Sequence, residues 1–234
     1  MKILKWILCV ITVISTILML FVLPDTVPVH FDINGLADRW GSKFELLILP
    51  AVLIACAFLM EPLKNVYINK AKNANDEKEK AEHLTNAKVL NITSVITMFL
   101  FAIMNFIILY NTYIIVYPDS SLPQFDIMRV VGIIMGIVIV LLGNYMPKTR
   151  LNSNIGFRLP WTMYNDNTWN KSNRFASYVF IVVGAILAIS SLLFESGALI
   201  GMIAFFIAIA IVIIYAYCVY SRERSKDNEG NNKE

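Results

Sequence analysis

The side chains best suited to chemistry cluster in one polar stretch, LPDTVPVHFDINGLADRWGSK at residues 23–43, which apolar runs flank on both sides. Asp32, Asn34 and Asp38 offer the oxygen ligands that Ca²⁺ prefers. An EF-hand loop that starts at Asp32 requires glutamate at its twelfth position, where this chain has Lys43. We therefore interpret the stretch as an ordered loop, with a looser cation site as the alternative.

Elsewhere the sequence shows no catalytic motif. His30 and Asp32 are close enough in sequence for a zinc pair, yet no further His or Cys lies nearby to complete the ligand set. The three cysteines all lie inside apolar runs. A nucleophile–base pair, a phosphate-binding loop and an HExxH motif are all missing from the sequence. We expect a protein that is not an enzyme and has no cofactor and no metal.

The composition is typical of a membrane protein. Of the 234 residues, 57% are hydrophobic and 16% charged, and the mean hydropathy is +0.62, whereas soluble domains are about 45–50% apolar and about 25% charged. A helix needs about 20 mostly apolar residues to cross a bilayer. The segments that predict such helices are 4–23, 44–60, 89–117, 127–146, 175–194 and 198–220. We therefore predict an all-α integral membrane protein with six transmembrane helices.

The distribution of basic residues predicts the orientation. Six spans leave both termini on one side, and that side carries 17 of the 20 lysines and arginines. Because cytoplasmic loops are enriched in lysine and arginine, we expect both termini in the cytoplasm and residues 23–43 outside. Lys5, Glu45 and Arg129 lie near the ends of spans, where we expect their charged groups to reach the membrane surface.

Turn-forming residues predict the shape of the outer stretch. Pro24 and Pro28 favour extended backbone at the residues before them, and Asn34-Gly35 is a strong turn signal because both residues tolerate positive φ. We expect an extended arm, a tight turn and a return into the second span, which together form an ordered extracellular loop 1. Its candidate binding residues are Asp25, His30, Asp32, Asn34, Asp38, Arg39 and Trp40.

The remaining polar segments are too short to form soluble domains. The second span is expected to end at Glu61-Pro62, and the residues after it predict a charged cytoplasmic helix that runs into the third span. The polar C-terminal residues predict a disordered tail. We divide the chain into an N-terminal helical hairpin with its outer module, a charged helix, a four-helix region and the tail, at residues 1–62, 63–88, 89–220 and 221–234.

Two pairs of glycines have the spacing at which helices approach closely in a membrane. Gly132 and Gly136 share one face of the fourth span, and Gly197 and Gly201 open the sixth. The spacing is compatible both with packing inside one chain and with a homodimer through either pair.

A second polar stretch, residues 143–178, predicts an amphipathic cytoplasmic loop 4. Trp161 and Trp169 are expected to anchor this loop at the membrane interface, because a tryptophan ring is apolar and its N–H group stays hydrated there. Arg158 and Arg174 are expected to contact lipid phosphates.

Both polar stretches resemble parts of the SdpI family of bacterial immunity membrane proteins. GNYMPKTRLNSNIGFRLPWTMYNDNTWNKSNRFA, at residues 143–176, looks like the signature of that family, and residues 23–43 look like an N-terminal module of unknown function. The order of the two motifs and the six spans agree with the family, although its members often have histidine where this chain has Asn173. The signature positions taken as a candidate cytoplasmic site are Asn144, Pro147, Lys148, Gly156, Arg158, Pro160, Trp161, Thr162, Trp169 and Arg174.

The resemblance implies a function. The namesake of the family protects a producing cell against its own secreted, membrane-active peptide toxin, and with toxin bound it holds a cytoplasmic autorepressor at the membrane. By resemblance, we expect an immunity protein and toxin receptor in a bacterial cell membrane. Its expected partners are a secreted peptide toxin, a cytoplasmic transcriptional repressor and the lipid bilayer, with no direct nucleic-acid binding. The alternative is a transporter or exporter of small molecules or peptides, which the lack of a charged residue near mid-membrane disfavours.

Overall fold

The computed structural model describes residues 1–32, 35–123, 126–152 and 156–231. Within these residues the chain forms six long helices and one antiparallel two-stranded sheet. The elements are α1 Lys2–Val22, β1 Thr26–Phe31, β2 Ala37–Ser42, α2 Ile48–Lys72, α3 Glu77–Val116, α4 Ile127–Tyr145, α5 Asp166–Leu193 and α6 Gly197–Asn231. Each of the six helices is long and apolar enough to cross a membrane. The predicted all-α fold with six transmembrane helices is thereby confirmed.

Polar side chains mark the starts of three helices. Asp76, Asp126 and Asn165 directly precede α3, α4 and α5, and each side chain accepts a hydrogen bond from a backbone N–H group of the first turn. Such caps satisfy donors that have no partner inside the helix. Pro24 follows α1 and leaves Leu23 in an extended conformation, which ends that helix. Local sequence therefore sets where several helices begin and end.

The predicted end of the second span at Glu61-Pro62 is wrong. Helix α2 contains Pro62 and continues for ten more residues to Lys72. Proline removes one backbone donor from a helix, but the part of α2 beyond it packs on α3, where Tyr67 is buried with Leu90. Burial of this apolar face offsets the lost hydrogen bond.

The prediction of a disordered tail at residues 221–234 is also wrong for the part that the structure describes. Helix α6 continues to Asn231 without a break. The extension lies against the segment before α5, where the Tyr164 hydroxyl donates a hydrogen bond to Asp227 Oδ2 at 2.7 Å. A contact distant in sequence therefore orders residues whose composition is typical of disorder.

Both pairs of glycines pack inside the chain. A Cβ atom on Gly136 would lie 2.5 Å from backbone atoms of α5, and one on Gly132 would lie 2.9 Å from Ser191 Cβ of the same helix. Likewise, Gly197 and Gly201 face α5. The glycines thus let α4, α5 and α6 approach closely, so packing inside one chain, one of the two alternatives that their spacing leaves open, accounts for both pairs.

Helix α1 buries a polar face rather than an apolar one. Its buried residues are Lys5, Cys9, Thr12 and Thr16. The Asn105 side chain of α3 donates a hydrogen bond to Thr16 Oγ1 at 3.1 Å. The side chain of Lys5 is 2% exposed, and its Nζ lies 3.6 Å from Glu61 Oε2 of α2. The prediction that Lys5 reaches the membrane surface is therefore wrong, because the ammonium group faces a carboxylate between two helices.

Candidate functional site

The hairpin of β1 and β2 is pinned to the ends of the helices. Val27 is fully buried and, with Leu23, packs against Leu46 and Leu109. At the turn, Gly35 has a φ of +77°, a conformation that glycine adopts without strain. The candidate residue Asn34 lies outside the described residues. The hairpin is thus attached to the helical bundle through an apolar contact.

Most charged residues of the hairpin pair with one another or with the start of the second span. His30 Nδ1 lies 2.6 Å from Asp38 Oδ1 across the two strands. Arg39 Nη2 donates a hydrogen bond to Glu45 Oε2 at 3.0 Å. These groups are largely exposed, so each pair contributes little stability, about 0–1 kcal/mol. Their main effect is to orient the charged surface of the hairpin.

The other hairpin candidates divide between turn formation and exposure. Asp32 Oδ1 accepts a hydrogen bond from the Leu36 N–H at 2.8 Å and so helps to form the turn. Asp25 pairs with Lys43 at 3.1 Å. Trp40 is 52% exposed. The structure therefore brings the described candidates together on or beside one small hairpin, where Trp40 is an exposed aromatic side chain.

The second candidate region is organised around Trp169, in the first turns of α5. Trp169 is fully buried, and its Nε1–H donates to the Thr149 carbonyl at 3.0 Å. One turn later on the same face, Asn173 Oδ1 accepts from the Phe157 N–H at 2.7 Å. Asn173 Nδ2 donates to the Trp169 carbonyl at 3.1 Å. The prediction that Trp169 anchors the loop at the membrane interface is wrong, because Trp169 forms the centre of the folded loop.

Gly156 allows the loop to close over this tryptophan. Its φ is +113°, which side-chain-bearing residues rarely adopt. A Cβ atom at this position would lie 2.7 Å from Asn173 Oδ1 and 2.9 Å from Trp169 Cζ2. The signature glycine is therefore explained by two separate constraints, backbone conformation and lack of space.

Two buried threonines hold the end of the loop. Thr162 Oγ1 accepts from the Leu159 N–H at 2.9 Å and lies 2.9 Å from the Phe157 carbonyl. Thr168 Oγ1 lies 3.2 Å from the Thr162 carbonyl and accepts from the Asn165 N–H at 3.0 Å, which completes a capping box with Asn165. A capping box satisfies two backbone donors at once, so the helix start and the loop form one unit.

The same loop is tied to the first half of the molecule. The Arg150 N–H donates to Asn86 Oδ1 of α3 at 3.0 Å, and the Tyr67 hydroxyl of α2 lies 3.0 Å from Asn152 Oδ1. Sequence reasoning missed Asn86 and Tyr67 because both lie on long helices far from the loop in sequence. The only feature of the sequence that could have indicated these contacts is the presence of a polar group on each side chain.

The remaining signature residues lie at the surface. Those classed as exposed are Asn144, Pro147, Lys148, Arg158, Pro160 and Arg174. Lys148 Nζ sits 4.4 Å from the centre of the Tyr145 ring, and Arg174 Nε lies 3.4 Å from the Tyr178 hydroxyl. The signature thus has two parts, a buried frame around Trp169 and an exposed surface that carries three basic side chains.

Helix α6 completes the surface beside the loop. The Trp161 ring meets Tyr217 edge to face with a centroid distance of 5.9 Å, and Tyr164 meets Tyr220 at 5.2 Å. Trp161 Nε1 is buried and has no hydrogen-bond partner among the residues described. Trp161 therefore packs on α6 through its ring, and its polar group contributes no bond within this part of the chain.

Comparison with known proteins matches both candidate regions. A model of the SdpI/YfhL protein family matches residues 148–220, and a model of a domain of unknown function, DUF1648, matches residues 7–54. Immunity protein SdpI of Bacillus subtilis (strain 168) is 25% identical over 209 residues, which cover 88% of each chain. The chain is therefore similar to the SdpI/YfhL family over residues 148–220 and to one immunity protein over most of its length. The SdpI match includes the loop around Trp169, α5 and the apolar part of α6, whereas the second match includes α1 and the hairpin.

Two further comparisons carry less information about the family. An uncharacterized protein of Archaeoglobus fulgidus is 59% identical over 39 residues, which are 16% of this chain and 21% of that protein. No solved structure matches this chain. The conclusion that the chain is a multi-pass membrane protein therefore rests on the long alignment with the Bacillus protein and on the six apolar helices.

Proposed function

We propose that the protein protects a bacterial cell against a secreted, membrane-active peptide toxin. The observation that carries this proposal is the alignment with Immunity protein SdpI over 88% of both chains. A match of that extent leaves only a small part of either chain unaligned. We further propose that the protein resides in the cell membrane with both termini in the cytoplasm, as the excess of lysine and arginine on that side indicates.

In this orientation the hairpin is the surface that meets the toxin. It faces the outside, it is held by Val27 and Leu23, and its paired charges leave Trp40 as an exposed aromatic side chain. Aromatic residues are frequent energetic centres of binding interfaces. We assign toxin recognition to Trp40 and the charged groups around it.

The loop around Trp169 is the proposed contact for a cytoplasmic repressor. Its buried frame holds Lys148 and Arg158 at fixed places on the protein surface. Both residues lie on the same side of the membrane as the two termini. A rigid basic surface suits an acidic patch on a protein partner, because complementary charges steer association. Toxin-dependent retention of a repressor at this surface is the second part of the proposed function.

A toxin challenge tests the proposal. A sensitive bacterium that expresses the full chain is exposed to the peptide toxin of the SdpI family namesake and to related secreted peptides, and survival is counted. Expression of the chain is expected to raise survival, and Trp40→Ala is expected to abolish that gain. The matched control is Leu36→Ala, which truncates another exposed side chain of the same hairpin.

Membrane abundance of each variant is measured by immunoblot, so that loss of protein is distinguished from loss of recognition. Retention of the repressor is tested by cell fractionation of a strain that co-expresses it, with and without toxin. Arg158→Ala is expected to reduce the fraction of the repressor that is found with the membrane. Unchanged killing by every toxin in the panel, at normal abundance of the chain, contradicts the immunity function.

A further inference from the structure

A group of lysines surrounds one glutamate where α1 and α2 meet. The group lies near the start of α1, on the side of the membrane where both termini are placed. Lys5 Nζ lies 3.6 Å from Glu61 Oε2, and Lys64 contacts Glu61 Oε1 on the next turn of α2. Lys2 precedes Lys5 on α1. Two ammonium groups thus contact a single carboxylate, and together with Lys2 the cluster carries a net charge of +2.

A cavity of about 240 Å³ opens beside this cluster between the two helices. Lys2, Lys5, Glu61 and Asn65 contribute polar groups to its lining. The side chain of Lys5 is 2% exposed, yet its Nζ makes no hydrogen bond within the part of the chain that the structure describes. A buried ammonium group without hydrogen bonds is costly. The cavity therefore lies beside an ammonium group, that of Lys5, which lacks a hydrogen-bond acceptor within the described residues.

The surroundings of the cavity indicate the kind of acceptor. Trp6 and Phe58 also line it, and their rings meet edge to face with a centroid distance of 5.1 Å. Both rings are exposed on the outer surface of the bundle, at 37% and 62%. Tryptophan side chains are enriched at the level of the lipid headgroups. A ligand with negatively charged oxygens at one end and an apolar body at the other fits both the polar and the aromatic part of the lining.

We propose that this cavity between α1 and α2 binds the phosphate of an anionic phospholipid, with Lys2 and Lys5 as its ligands and the acyl chains against Trp6 and Phe58. A phosphate diester supplies the oxygen acceptors that Lys5 lacks and offsets the excess positive charge. The proposal concerns a part of the molecule remote from the loop around Trp169, and it does not depend on the immunity function.

Native mass spectrometry of the full-length protein in neutral detergent tests the site. Dissociation constants are measured for phosphatidylglycerol, for phosphatidylcholine and, in a separate arm at matched ionic strength, for inorganic phosphate. Tight binding of phosphatidylglycerol alone identifies a lipid headgroup as the source of the phosphate. Equal binding of inorganic phosphate identifies a free phosphate site and overturns the lipid assignment.

Variants locate the bound molecule. Lys2→Gln and Lys5→Gln are each expected to weaken phosphatidylglycerol binding about fivefold, the contribution of one lysine near an anionic membrane. The control is Lys72→Gln, which removes the same charge from the exposed end of α2, about 15 Å further along that helix. Lys2 is exposed, so its replacement leaves the packing between the helices intact, and the Lys2→Gln protein tests the proposal even where Lys5→Gln does not fold. Equal affinities of the Lys2→Gln and Lys72→Gln proteins overturn the proposal.

Discussion

Gly156 and Trp169 show how individual residues shape the loop before α5. The glycine has a positive φ and no room for a Cβ atom, and the tryptophan fills the space that the glycine leaves open. Asn173 joins both, because its amide accepts from the backbone beside Gly156 and donates to the Trp169 carbonyl. The asparagine thereby has a defined structural role at the centre of the folded loop.

Substitution of Gly156 by alanine is expected to destabilise the protein by about 1–3 kcal/mol, because alanine at a positive φ is strained and its Cβ atom collides with Asn173 and Trp169. Thermal unfolding in detergent measures the effect.

The matched control is Gly143→Ala on α4, where a Cβ atom would lie 3.3 Å from its nearest neighbours and φ is helical. That variant is expected to remain within about 1 kcal/mol of the parent, since alanine favours a helix over glycine by a similar amount. Equal destabilisation by both changes would show that Gly156 has no special role.

At the level of secondary-structure elements, the extension of helix α6 and the loop before α5 hold each other in place. The extension of α6 lies beside the loop through the Tyr164–Asp227 hydrogen bond, and Lys171 of α5 pairs with Glu223 at 3.5 Å. The same hydrogen bond to the Asp227 carboxylate raises the pKa of Tyr164. Docking is therefore complete below the ordinary tyrosine value of about 10 and weakens as the pH rises through the raised pKa.

Replacement of Tyr164 by phenylalanine removes the hydrogen bond and keeps the ring contact with Tyr220. Trypsin, which cleaves after the basic residues of the α6 extension, is expected to cut this variant several-fold faster, because the extension loses its hydrogen bond to the segment before α5. Tyr178→Phe removes a hydroxyl from an exposed tyrosine of α5 and serves as the control. Identical cleavage rates in both variants would show that the extension is not held by Tyr164.

The whole molecule consists of helices whose outward faces are apolar and whose polar contacts lie inside or at the two ends. Thr16 and Asn105 bond to each other between α1 and α3, and the loop around Trp169 bonds to Asn86 and Tyr67 of the first half. Polar contacts between helices in lipid are typically worth about 0.6 kcal/mol each. Several of them together connect the two halves of the bundle.

The proposed orientation is tested by labelling single cysteines in a chain whose native cysteines are replaced by alanine. Asp119→Cys, between α3 and α4, is expected to react with a membrane-impermeant maleimide on intact cells. Asn73→Cys, between α2 and α3, is expected to react only after permeabilisation, because the two connections lie at opposite ends of α3. The reverse pattern would place the termini outside and would move toxin recognition to the loop around Trp169.

Local patterns in the sequence are sufficient for part of this structure. Runs of apolar residues predict six spans because each helix satisfies its own backbone hydrogen bonds in lipid, and prolines, glycines and capping residues predict where the chain turns. The tertiary structure alone decides which polar residues meet. Trp169, Thr149 and Asn173 form one buried unit, the glycine pairs pack within the chain, and Lys5 faces Glu61. Such contacts depend on the positions of side chains far apart in sequence, which the hydropathy of each segment does not specify.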